Sequence, residues 1–447
     1  MSKKIVFILS CLVLSLPLMS LDSKKFELPV ERFELKNGLK VLLIKDQRLP
    51  VFSLYTFYNV GGKNETKGIT GASHFLEHLM FKGARKYTGT QFDYLIEGNG
   101  GTNNAFTTND MTVYYESLPS STLELILDIE ADRMVNLLLE KESFEKERNV
   151  VLEERRMRYE NSPRGQAYLN LMQELFKGTP YGTSVIGDIP DLKSVSRDQI
   201  MDYFKKFYAP NNAVLVVAGD FDLKQTKKII EKKYGPLESS PSVAAAQAEV
   251  VDEKFKWSIK SKDMYLKGEA AAPLFMMGIP AYKDGTESAY TLNILSSLLG
   301  ESKSAELIKK FVYSKKPQAT SFYTGNYSLL KSGAFVFGGE LVSGVDPKVF
   351  KKKLLSELKN SCQSAITERN LEKVKNQYLV EMYNQLSTNS GIAQFVGEYE
   401  LVYGHYLAYE KEFAFYQKLT VNELKKSCQE LLSKPVVYVV VWNKFKG

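Results

Sequence analysis

Residues 68–83 read GITGASHFLEHLMFKG and hold His74 and His78, two of only three histidines in a chain of 447 residues. Glu77 stands directly before the second histidine. Ala72, Phe75, Leu76, Leu79 and Met80 recur at the i, i+3, i+4 spacing of a buried stripe, which predicts a helix over 69–82. His74, Glu77 and His78 fall on the opposite side of that helix. The core face is already filled, so a pair of core histidines fits badly, and the plain alternative is a solvated polar face. Side chains four apart project side by side, however, and two imidazoles so placed can reach one ion at about 2.0–2.1 Å. Glu77 then leans to the side of the ion, suited to a water molecule and too far round to be an equal ligand.

A catalytic zinc takes three protein ligands and leaves a fourth position open. The third histidine, His405, lies far away in LVYGHYLAYE, residues 401–410. A carboxylate is the better candidate, and ESFEKERNVVLEERRMRYE, residues 142–160, reads as a charged helix. Its plain reading is a solvated face with i,i+4 ion pairs. Glu147 and Glu154 nevertheless share a face two turns apart, beside Val150, Val151 and Leu152. Spacing leaves both Glu153 and Glu154 open as the ligand.

The bulk numbers place these elements in an ordinary globular chain, 44% hydrophobic and 25% charged, long enough for two or three domains. A formal charge of +7 is spread along the chain without a basic tail or aromatic-basic interleaving, which speaks against nucleic acid as a partner. Lys3 and Lys4 precede an apolar run from Ile5 to about Met19, the layout of a signal peptide over residues 1–22. That run is short for a span, and no later stretch is apolar enough for an integral membrane segment. The expected location is therefore periplasmic or secreted. After processing only Cys362 and Cys428 remain, either bonded or as two free thiols.

From Glu31 the chain alternates strand-like and helix-like segments. LKVLLIKD (39–46), VFSLYTFYNV (51–60) and NAVLVVAGDF (212–221) read as strands, and TNNAFTTNDMTVYYESLP (102–119) as two strands around a turn. PLESSPSVAAAQAEVVDEK (236–254) lacks any period and reads as a linker. Beyond it the pattern repeats at an offset of about 220 residues, one large domain. Thr291, Ile294 and Leu295 stand where His74, Glu77 and His78 stood. The predicted organisation is a first domain over 27–238, a linker over 239–256 and a degenerate second domain over 257–447. The fold class is α+β, two homologous α/β-sandwich domains, each a mostly antiparallel sheet covered by helices.

With HFLEHLMFKG (74–83), GGTNNAFTTNDMTVYYESLP (100–119), ERNVVLEER (147–155) and the long run 178–222, the chain resembles the pitrilysin, insulysin and mitochondrial processing peptidase superfamily of zinc metallopeptidases, in its short bacterial two-domain branch. The resemblance implies a zinc endopeptidase acting on peptides or unfolded segments, with one Zn2+ per chain held by His74, His78 and Glu154. It implies Glu77 as the general base, Glu147 as the residue that orients the site, and Asn104, Ala105 and Phe106 as an edge that pairs with substrate. It further implies two halves that close like a shell over a chamber. The second half of such enzymes supplies an arginine and a tyrosine, whose places here fall to Tyr313 and Thr320, with Lys315, Lys316, Tyr323 and Tyr327 nearby. A homologous partner chain carrying that pair, or a homodimer, is therefore expected. The rival expectation is a non-catalytic assembly or peptide-binding subunit.

Overall fold

The computed structural model describes residues 28–256 and 258–445, and the predicted signal peptide lies outside them. Six strands, β1 (Val30–Glu34), β2 (Lys40–Lys45), β3 (Val51–Tyr58), β4 (Thr102–Thr107), β5 (Thr112–Pro119) and β6 (Ala213–Gly219), form one sheet in the order β1-β2-β6-β3-β5-β4. Five more, β7 (Lys262–Lys267), β8 (Leu274–Ala281), β9 (Ala319–Ser328), β10 (Gly333–Leu341) and β11 (Val437–Trp442), form a second in the order β7-β11-β8-β10-β9. The pairs β2/β6 and β7/β11 are parallel and every other pair is antiparallel. Without β1, the first sheet has the same order and the same strand directions as the second, so the repeat in the sequence is a repeat of topology. The α+β class and the two related sheets agree with the expectation.

The helices that matter below are, in chain order, α1 (Ala72–Leu79), α2 (Lys141–Arg155), α3 (Pro163–Leu175), α4 (Val243–Ala248), α5 (Glu287–Gly300), α6 (Pro347–Ser364), α7 (Asn389–Tyr403) and α8 (Val421–Leu432). Strand β6, AVLVVAG, is buried along its whole length because both faces of its sheet are covered. One face, with Val41, Leu43, Phe52 and Leu54, packs on Phe75, Leu76 and Leu79 of α1. The other, with Leu42, Ile44, Phe57 and Val216, packs on Ile392, Ala393 and Val396 of α7. In the second sheet, Met276, Val336, Val437 and Val439 face Ala167, Leu171 and Leu175 of α3.

Each half thus lends a helix to the other's sheet. Two glycines let them in: a Cβ on Gly278 of β8 would meet the Leu175 side chain at 2.4 Å, and one on Gly397 of α7 would meet the Phe57 ring at 2.1 Å. Polar contacts reinforce the exchange. Arg32 on β1 donates to the fully buried Glu400 on α7 at 2.9 Å, and Asp110 accepts from Tyr181 at 2.5 Å and from the Leu330 backbone at 3.1 Å. The expected shell-like closure of the two halves over a chamber differs from this arrangement. Swinging one lobe away would have to open two apolar layers, at about 1.5–3 kcal/mol for each large side chain exposed.

Residues 239–256, read as an aperiodic linker, contain α4, whose Val243 and Ala246 are buried. An alanine-rich run has high helix propensity even without an amphipathic period. Gln247 ties it down through the Asn212 side chain at 3.2 Å. Cys362 of α6 and Cys428 of α8 are bonded to each other. Among the described residues, no helix is long and apolar enough to cross a membrane.

Candidate active site

Helix α1 begins at Gly71, whose φ of 86° a side chain would strain. A Cβ there would also lie 2.1 Å from the Ile186 carbonyl oxygen. The buried carboxylate of Glu65 accepts from the first backbone N–H groups, Gly71 at 2.6 Å and Ser73 at 2.9 Å. Such a cap satisfies donors that a helix start leaves open and favours negative charge at that end. Burial still raises the Glu65 carboxyl to about 7. Nothing in its sequence surroundings had singled Glu65 out.

The face of α1 opposite the core is covered by α2, so the solvated-face reading of the histidines does not hold. His78 Nε2 lies 3.2 Å and His74 Nε2 3.6 Å from the same oxygen, Oε2 of Glu154. The three ligand atoms are within 4.8 Å of one another. Glu153 turns outward instead and pairs with Arg156. Glu147, one face with Glu154, brings Oε1 to 2.9 Å from His78 Nδ1 and takes Lys82 at 2.8 Å on its other oxygen. Glu147 keeps a proton on Nδ1, so Nε2, which faces Glu154 and His74, is the nitrogen that a cation would take.

The electrostatics are those of a cation site. Burial lowers the His74 imidazole to about 4, helped by the neighbouring His78. His78 is also penalised by burial, but Glu147 and Glu154 outweigh it and hold its proton up to about 9. A cation that displaces the Nε2 proton His78 shares with Glu154 would meet two imidazole nitrogens and the Glu154 carboxylate, an N, N, O donor set around one point. That is the donor chemistry of a zinc site with an open position.

Glu77 turns to the other side, where Thr107 at the end of β4 donates to its Oε2 at 2.6 Å. Burial raises its carboxyl above the ordinary range, and the Thr107 hydrogen bond works against that. Thr107 went unread because a threonine at a strand end carries no motif. Asn104, Ala105 and Phe106 lie on β4, the outer strand of its sheet, and Ala105 N–H is held by Asn104 Oδ1 at 2.8 Å. His405 is remote from this group, caps a turn through Leu407 N–H at 3.1 Å and is exposed. In the second half, Thr291, Ile294 and Leu295 on α5 are buried in packing with no carboxylate among them.

Two family descriptions match the chain: Insulinase (Peptidase family M16) over residues 40–189 and Peptidase M16 inactive domain over residues 194–378. A zinc protease of Helicobacter pylori, PqqE, is 29% identical over 378 residues, 83% of each chain. The crystal structure of a protease from Helicobacter pylori superposes with a TM-score of 0.84 at 25% identity, over 92% of this chain and 99% of the other. A Pseudomonas fluorescens structure described as a peptidase M16 inactive domain gives a TM-score of 0.81 at 18% identity, over 92% and 97%, which speaks for the fold alone. With both family domains present in order, and with relatives aligned over most of its length, the chain belongs to the M16 peptidase superfamily, in its short two-domain branch.

Proposed function

We propose that this chain is a zinc-dependent endopeptidase that hydrolyses extended peptides, with His74, His78 and Glu154 as the metal ligands and Glu77 as general base. The convergence of two imidazoles and one carboxylate on a single point, with a second buried carboxyl beside it, carries this reading. A zinc ion held there supplies Lewis acidity toward a carbonyl oxygen and toward water. Glu77 takes the proton of the attacking water and delivers it to the leaving amine, positioned by Thr107. Its burial raises its proton affinity toward the value such a shuttle needs. Glu147 keeps His78 in the tautomer that frees Nε2. Asn104, Ala105 and Phe106 bind substrate as an added strand, a peptide group replacing Asn104 as the partner of Ala105 N–H.

The reciprocal helices α3 and α7 hold the two lobes together, and the segment 309–325 contains no arginine. Both observations support a second chain, homologous or identical, that covers the site and contributes the arginine-tyrosine pair. The leader-like residues 1–22 and the Cys362–Cys428 bond support a periplasmic or secreted location.

The test is cleavage of an unstructured peptide library by zinc-loaded chain, with metal content measured on the same sample. Glu77→Gln is expected to keep one zinc per chain and lose about 10²–10⁴-fold in rate. Equal rates for both proteins would eliminate the peptidase and favour a binding or assembly subunit.

A further inference from the structure

Immediately beyond α2, residues Arg156–Glu160 form a π-helical turn, a distortion that often marks functional positions. Arg155, just before it, and Arg158, within it, point differently. Arg155 is buried, stacks over Tyr159 and lies 3.6 Å from Glu160 and 3.7 Å from Asp188. Arg158 turns outward with its side chain 55% exposed, and its ion pair is Glu154 Oε1 at 3.5 Å. The other oxygen of that carboxylate faces the two histidines, so Arg158 stands next to the metal ligands on the side away from Oε2.

A second arginine, Arg164, opens α3 and is exposed, and among the described residues it has no ion pair or hydrogen bond. Three tyrosines lie with these two cations. Tyr168 comes from α3, and Tyr323 and Tyr327 come from β9 of the other lobe. The Tyr168 and Tyr327 ring centroids are 6.4 Å apart. Gly338 of β10 makes room for the Tyr323 ring, which a Cβ there would meet at 2.3 Å. Among the described residues none hydrogen-bonds the hydroxyls of Tyr168, Tyr323 or Tyr327.

Burial raises the Tyr168 and Tyr323 phenols above their ordinary range, so both stay protonated donors at neutral pH. Arg158 pulls the first, and Arg164 the second, the other way, which puts each guanidinium within electrostatic reach of its ring. Arg158 beside Tyr168, Arg164 beside Tyr323, and Tyr327 against Tyr168 thus line the junction of the lobes, and among the described residues Glu154 is the one carboxylate within 4.0 Å of either guanidinium.

We propose that Arg158, Arg164, Tyr168, Tyr323 and Tyr327 form a subsite for a peptide carboxylate, either an acidic side chain close to the scissile bond or the substrate's own C-terminus. This specificity rests on the peptidase reading above for its purpose, but its binding chemistry is independent of cleavage. Guanidinium groups hold carboxylates in paired, charge-assisted hydrogen bonds, and phenolic O–H groups complete the shell.

Binding is measured by fluorescence anisotropy with the zinc-loaded Glu77→Gln chain, so that no probe is consumed. Three matched unstructured peptides serve: one with a central Glu, one with Gln at that place and a C-terminal amide, and one with Gln and a free C-terminal carboxylate. At least one carboxylate peptide is expected to bind about tenfold or more tightly than the neutral amide, and the peptide that does so identifies the source. The double variant R158A/R164A is expected to lose that preference while binding the neutral amide as before and keeping its zinc, and R158E/R164E to prefer a Lys-bearing peptide. Equal affinities for all three peptides would overturn the subsite, as would a preference that survives R158A/R164A. Loss of zinc, or of neutral-peptide binding, in R158A/R164A would also overturn it, by making the arginines supports of Glu154. Equal cleavage by the wild type and Glu77→Gln removes the peptidase reading but leaves these affinities unaffected, so the two failures are told apart.

Discussion

Glu147 Oε1 lies 2.9 Å from His78 Nδ1, on the opposite side of the ring from the Nε2 that faces Glu154. A carboxylate so placed sets the tautomer of the imidazole and raises its basicity toward a cation. Glu147→Gln is therefore expected to weaken zinc binding by about 10–100-fold without changing the fold. Competition with a chromophoric chelator measures it, and an affinity equal to wild type would remove Glu147 from the site. Glu154→Gln takes away a ligand itself and is expected to do more harm in the same assay.

The lobe interface offers a packing test. Gly397 of α7 lies where a Cβ would come 2.1 Å from the Phe57 ring. Gly397→Ala gains helix propensity but overpacks the layer between α7 and the first sheet, and the net loss is expected to be about 1–3 kcal/mol. Denaturant unfolding checks the value. A more stable variant would mean that α7 can slide, and that the lobes are less firmly joined than the packing implies.

Lys63 supplies a pH signature. It is buried, donates to Asn59 Oδ1 at 2.9 Å and to the Asp110 carbonyl, and burial lowers its pKa to about 8. The unfolded chain holds this proton up to about 10.5. Between these values the unfolded state binds more protons than the folded one, so stability rises with pH. The penalty is present in full below pH 8 and vanishes by about pH 10.5, a change of roughly 3 kcal/mol from this residue. Lys63→Met is expected to flatten the rise. Unfolding free energies of both proteins across that range decide the matter, and parallel profiles would assign the slope to other groups.

The Cys362–Cys428 bond closes a loop with a sequence separation of 66. Chain entropy alone assigns such a crosslink roughly 4 kcal/mol. The Cys362→Ala/Cys428→Ala double variant, or wild type in strong reductant, is expected to melt earlier in the second lobe while zinc binding persists. Calorimetry with and without reductant reads this directly, and an unchanged transition would deny the bond any role in stability.

Local pattern made much of this protein legible. Histidines four apart on a helix share a face wherever that helix goes, so His74, His78 and the flanking Glu77 could be grouped from residues 68–83 alone. Alternating apolar strands and a repeated order of elements likewise made two related sheets legible, because side-chain period follows from backbone geometry. Local pattern did not reach what depends on contacts between distant segments. Glu153 and Glu154 are neighbours on one helix, and only the packing of α2 against α1 turns Glu154 inward. The exchange of α3 and α7 between lobes, the docking of α4 and the pairing of the two cysteines rest on surfaces brought together from residues far apart in the chain. So does the meeting of Tyr168 with Tyr327 across the lobes. A sequence specifies which faces are apolar and which polar groups share a side, whereas the choice of partner for each face is made by three-dimensional complementarity, which no local period encodes.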